Sequence, residues 1–90
     1  MRTVIWKYPL AADQVQRFEV PRNAKPLALQ VQRDIPTLWM HVDPNDPTAT
    51  AVVSTYGTGH PVPPNPGEYV GTYQLLEGDL VFHVFYEVQS

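Results

Sequence analysis

Short runs of alternating or wholly apolar residues recur along the chain, each closed by turn-forming residues, and this rhythm predicts an antiparallel β domain. Thr3 to Leu10 reads as a first strand, rich in β-branched and aromatic residues. Ala11-Ala12-Asp13 is expected to turn tightly into a second strand from Gln14 to Val20, where Phe18 and Val20 share a face opposite Arg17 and Glu19. Pro21 to Ala24 is a turn cluster. Leu27, Leu29 and Val31 then alternate with Ala28, Gln30 and Gln32, as in a half-buried strand. Asp34-Ile35-Pro36 is expected to break it, with Thr37 to Val42 as the hairpin partner. Asp43 to Pro47 is a strong break, and Thr48 to Tyr56 is again β-branched. Tyr69 to Leu76 and Leu80 to Val88 form a closing hairpin around Glu77-Gly78-Asp79. Leu80, Phe82, Val84, Tyr86 and Val88 line one face of that last run, with Val81 and Phe85 on the other, so it reads as a central strand covered twice.

The fold expected is therefore all-β: a small antiparallel sandwich or barrel of six or seven strands, with at most a short helical turn. Residues 1–90 form a single domain, and residues 57–67 form a Gly/Pro-rich loop. A helical spacing over Ala11 to Glu19 competes with alternation there, and alternation fits better. The expected core draws on Val4, Trp6, Phe18, Leu27, Leu29, Val31, Leu38, Met40, Val53, Leu75, Phe82 and Val84.

Composition narrows this. Ninety residues leave room for one core. Ten prolines argue against long helices. A net charge of −3 does not suit an electrostatic nucleic-acid binder, so no direct nucleic-acid binding is expected. There is no cysteine, which removes disulfides, zinc thiolates and cysteine nucleophiles. Neither a signal peptide nor an apolar run of membrane-helix length is present, so the expectation is a soluble protein with no membrane association. The cations Arg2, Lys7, Arg17, Arg22, Lys25 and Arg33 all precede residue 34, leaving an acidic remainder.

Several runs are jointly distinctive: Ile5-Trp6-Lys7-Tyr8-Pro9-Leu10, Leu38-Trp39-Met40-His41-Val42-Asp43-Pro44, Gly57-Thr58-Gly59-His60-Pro61, Gly71-Thr72-Tyr73-Gln74-Leu75 and Gly78-Asp79-Leu80-Val81-Phe82-His83-Val84-Phe85. In this order the chain resembles a family of small proteins, about this length, encoded by bacteriophages and prophages. The similarity extends over all but Asp46 to Ala51 and Val62 to Glu68. It implies a source and a size, a host-cytoplasmic location and the accessory roles of small phage proteins, among them counter-defence. It transfers no catalytic residues.

The most pointed chemistry lies in Tyr56-Gly57-Thr58-Gly59-His60. Glycines on either side of a threonine let successive N–H groups converge on an anion, with Thr58 and His60 as further donors and Tyr56 as a stacking surface. Against this stands the plainer reading that the glycines only shape a turn. Trp39 and His41 alternate against Leu38, Met40 and Val42, so they are expected to face outward with Thr37 and Asp43, as a binding surface or an oligomer contact. Arg33, with Arg22 and Lys25, would supply a phosphate site if folding carried it to the loop.

Ligand-binding candidates are thus Arg33, Trp39, His41, Tyr56, Gly57, Thr58, Gly59 and His60, and the ligand class they suggest is a small phosphorylated nucleotide-like molecule. His41 with Asp43, and His83 with Glu87, share strand faces, yet nothing in the spacing demands a metal. No cofactor is expected. No serine sits in a Gly-x-Ser-x-Gly elbow, so an enzyme is not expected either. The competing classes are an inhibitor that binds a host protein and a minor structural or assembly protein of the phage. A homo-oligomer is expected, since so short a chain buries only about two thirds of its unfolded surface.

Overall fold

The structure, a computed structural model, describes residues 2–11 and 13–89. Seven strands and one 3-10 turn follow in order: β1 (Val4–Pro9), β2 (Val15–Pro21), β3 (Lys25–Gln32), β4 (Ile35–Val42), β5 (Thr48–Gly57), β6 (Glu68–Leu75), the turn Leu76–Gly78, and β7 (Leu80–Gln89). They make two antiparallel sheets packed as a sandwich, a three-stranded one in the order β1-β4-β3 and a four-stranded one in the order β2-β5-β7-β6. Among the described residues no helix is long and apolar enough to cross a membrane.

The alternation of β4 explains the first sheet. Leu38, Met40 and Val42 are buried and pair with Tyr8, Trp6 and Val4 on the inner face, while Trp39 pairs with Lys7 and His41 with Ile5 on the outer one. In the second sheet Val53 and Val84 are fully buried beside Ala51, Tyr73 and Tyr86. The two inner faces meet over one continuous core. As the final run foretold, β7 is a central strand, flanked by β5 and β6.

Three expected core residues are corrected. Leu27 is 53% exposed, because a bulge between Pro26 and Ala28 takes it out of register. Trp6 and Val31 point inward but lie on the edge strands β1 and β3, and they stay 42% and 38% exposed. Periodicity assigns a face, not the extent of cover.

Boundaries shift as well. The β3–β4 turn is Arg33-Asp34, with Gln32 opposite Ile35 and both turn residues at positive φ. That is the geometry of a two-residue hairpin matched to strand twist. Pro36 therefore lies inside β4, and it is tolerated because the β1 ladder ends one residue away, at Pro9 opposite Thr37. The tight turn expected at Ala11-Ala12-Asp13 falls in part on Ala12, outside the described residues. The strands on either side of it pair in different sheets, so this link passes from one sheet to the other.

Candidate functional site

The links gather at two ends. At one end lie the β1–β2 link, the Arg33-Asp34 turn, the exit of β5 and the β6–β7 turn, and there the sandwich stays open. A cavity of about 540 Å³ occupies that opening. Leu10, Pro36, Tyr73, Leu75, Leu80 and Phe82 supply its apolar walls, and Asp13, Asp34, Thr55, Tyr56, Gly57 and His60 its polar fringe. The volume lies within the range of small-molecule sites. Burial pushes the Tyr73 hydroxyl above the usual phenol range, so it stays a neutral hydrogen-bonding group in the wall.

A second cavity of about 320 Å³ is lined by Lys7, Pro9, Gln32, Arg33, Ile35 and Thr37. Ile35 belongs to both, so an apolar pocket and a basic groove adjoin across one side chain. The hairpin tip divides its two residues between them: Asp34 lines the apolar pocket and Arg33 the basic groove. Neither is glycine, although φ is +51° at Arg33 and +66° at Asp34. Such conformations cost roughly 1–2 kcal/mol each for ordinary residues. Lys7 donates a hydrogen bond of 2.8 Å to Gln32 Oε1 and stands 5.8 Å from the centre of the Trp39 ring. Both arrangements hold its ammonium over the groove side of the sheet.

The glycine loop is a β-turn of type II character. The His60 N–H donates to Gly57 O at 3.1 Å, and Gly59 takes φ +87°, which that turn requires. The Thr58 N–H donates to Val81 O at 3.1 Å. With the Thr58 and His60 amides already committed to carbonyls, the loop is not a nest of free donors, and the anion-cradle expectation is corrected. Gly57, Tyr56 and His60 instead serve as cavity wall, and the His60 ring packs against the Gly57 backbone.

Trp39 and His41 do face outward, on the three-stranded sheet, but they do not join the loop. His41 bonds Thr3 Oγ1 at 2.9 Å and lies six residues beyond Ile35, about 20 Å along β4. Trp39 reaches the basic groove only through Lys7. Its Nε1 is buried with no hydrogen-bond partner among the described residues. Thr37 shares that outward register yet is buried, its hydroxyl donating to Ile35 O. The expected cationic cluster is split too. Lys25 pairs across from His41, and the Arg22 amide bonds Pro47 O, both at the far end from Arg33.

On the outer face of the four-stranded sheet lies a group that sequence reasoning passed over. His83 Nε2 is 2.7 Å from Thr58 Oγ1, His83 Nδ1 is 2.9 Å from Thr72 Oγ1, and Thr72 Oγ1 is 2.5 Å from Tyr69 OH. Phe85 packs edge-on between Tyr56 and Tyr69, with ring centres 5.9 and 5.6 Å apart. Three of the distinctive sequence runs meet here. The sequence singles out Tyr56 and Thr58 and places His83 with Glu87 on one strand face, with no sign that Thr58, Thr72 and His83 meet.

The chain belongs to the family described as Domain of unknown function (DUF7352), whose model matches residues 1–90. No curated protein and no solved structure matches it.

Proposed function

We propose that this member of the family is a phage-encoded accessory protein that sequesters a phosphorylated nucleotide-like signal molecule in the host cytoplasm, a role that needs no catalytic group. The phage origin and the counter-defence role rest on the sequence resemblance. One structural observation carries the ligand reading: an apolar pocket of nucleotide size adjoins a groove bearing Lys7 and Arg33, with Ile35 between them. A base or similar ring lies among Tyr73, Leu75 and Phe82, where its apolar faces leave water. Asp34 accepts hydrogen bonds from ring N–H groups, and the phosphate meets the two cations across Ile35. The strain at Arg33 and Asp34 fits this use, because one tight turn aims opposite charges into neighbouring sites.

Denaturing the purified protein and analysing the released small molecules by mass spectrometry tests the reading, together with titration calorimetry of mono-, di- and cyclic nucleotides and of their nucleosides. Arg33→Ala should weaken phosphorylated ligands about 10- to 100-fold, as expected for losing a hydrogen bond to a charged group, and leave the nucleoside unchanged. Equal loss for both, or no binding of any nucleotide, would sink it, and an inhibitor acting on a host protein would take its place.

A second copy of the chain is proposed as a further partner. Trp6 and Val31 face inward at the open edges of the three-stranded sheet and remain half in water, which an edge-to-edge partner relieves. Light scattering that gives the monomer mass at high concentration would exclude it.

A further inference from the structure

We infer that Thr58 and His83 form a nucleophile–base pair, positioned by Thr72, that transfers acyl groups from small carboxylic esters. This goes beyond the sequestration reading and does not depend on it.

The argument starts from which way the hydrogen bonds run. A neutral imidazole has one N–H and one lone pair, and His83 has a threonine hydroxyl at each nitrogen, at 2.7 and 2.9 Å. Thr58 and Thr72 are both exposed, so water completes the hydrogen bonds of their hydroxyls in either tautomer. The tautomer that activates Thr58 is the one with the proton on Nδ1. Nδ1–H donates to Thr72 Oγ1, Thr72 donates to Tyr69 OH, and the 56% exposed Tyr69 donates to solvent. Nε2 then accepts the Thr58 proton. This is the order nucleophile, base, orienting group that general-base activation of a hydroxyl requires.

The surroundings supply the remaining parts. Gly59 follows the nucleophile at φ +87° with open space around its Cα, so a reacting carbonyl can approach the backbone there. The turn that carries Thr58 is also a wall of the end cavity, through Gly57 and His60. Thr58 itself is exposed on the outer face beside His83, so an ester reaches its hydroxyl from solvent.

In the step proposed, Thr58 Oγ forms a bond to the ester carbonyl carbon, its proton passes to His83 Nε2, and the carbonyl π pair moves to oxygen. Collapse reforms the carbonyl and breaks the bond to the alkoxy or aryloxy group, which leaves with the proton from His83. Water then attacks the acyl-threonine, gives a proton to His83, and releases the acid as Thr58 Oγ recovers that proton. No other reactant is needed.

The test uses p-nitrophenyl acetate with the intact protein, reading p-nitrophenolate release and the acetylated peptide by mass spectrometry. Acetylation of Thr58 is expected, with Thr58→Ser still acetylated at residue 58, and with Thr58→Ala and His83→Ala each lowering release by about 100-fold or more. Thr72→Val should lower the rate about tenfold and Thr72→Ser restore it, with unchanged circular dichroism. A merely structural threonine would not show that rescue. A folded Thr58→Ala or His83→Ala variant that releases p-nitrophenolate as fast as wild type overturns the proposal.

Discussion

The two sheets share one core but use their outer faces differently. The strands of the three-stranded sheet carry Lys7 and Lys25 and no carboxylate, and both of its edge strands are largely exposed. The strands of the four-stranded sheet carry Glu19, Glu68 and Glu87 against the single cation Arg17. On its outer face Tyr56 and Ser54 are buried, and the histidine–threonine chain lies beside them. One sheet thus offers a basic, half-open surface that ends in a strained hairpin. The other offers a packed polar network beside an acidic rim. The difference teaches that stability concentrates where the sheets overlap, leaving the outer faces and the open end free for binding and chemistry.

The sharpest way to break this comparison is to truncate one residue of each kind. Leu38, 2% exposed in the centre of β4, should cost 2–5 kcal/mol as Leu38→Ala, whereas Leu27→Ala should fall within about 0.5 kcal/mol. Urea denaturation checks both. Equal losses would mean that something covers Leu27 in solution.

A smaller effect probes the contact between sheets. Gly71 takes φ +155° opposite Val84, and an added Cβ would stand 3.1 Å from Leu29 Cβ on the other sheet. Gly71→Ala should therefore destabilise by about 1–3 kcal/mol, with a lower melting temperature and the same circular dichroism.

The hairpin tip separates stability from binding. Arg33→Asn with Asp34→Gly puts residues suited to positive φ into the turn, and should stabilise the fold by about 1 kcal/mol. The same double variant should lose the binding of phosphorylated ligands, read by calorimetry. Unchanged binding would detach the turn from the site.

The mildest substitution reads the core of the four-stranded sheet. The Tyr86 hydroxyl is buried without a partner among the described residues, and burial, then the charges of Tyr8 and Glu68, hold its pKa above the usual phenol range. A raised acid pKa stabilises the fold fully below the unfolded value near 10, and this contribution is lost as pH rises through the folded value. Tyr86→Phe should be neutral or stabilising by up to about 1 kcal/mol at pH 7. It should also remove part of the alkaline loss, seen in melting temperatures between neutral pH and pH 11.

Much of the strand order along the chain was legible because each run alternates and each break contains proline, glycine or an Asx residue. Leu27 escaped because a bulge cancels alternation without changing composition. The hairpin tip reads one residue late, at Asp34-Ile35-Pro36 instead of Arg33-Asp34, because Pro36 looks like a break and arginine carries no sign of positive φ. Within the candidate site, Tyr56, Gly57 and His60 were legible as a loop that interrupts the strands, and they line the cavity. Trp39 and His41 were rightly placed outward but wrongly joined to that loop, since an outward-facing residue on one sheet carries no information about its distance from the other.

By itself the sequence determined the β class, the single core, the hairpin of β6 and β7 and the outward register of β4, because period and turn chemistry are local properties of the chain. Only the tertiary structure decided which strands share a sheet, that the open end holds an apolar pocket against a basic groove, and that Thr58, Thr72 and His83 meet. Those three lie on a turn, β6 and β7, and Thr58 is 25 residues from His83. Their meeting depends on β5 pairing with β7 on the side away from β6, a pairing settled by packing over the whole core and by no signal in any one segment.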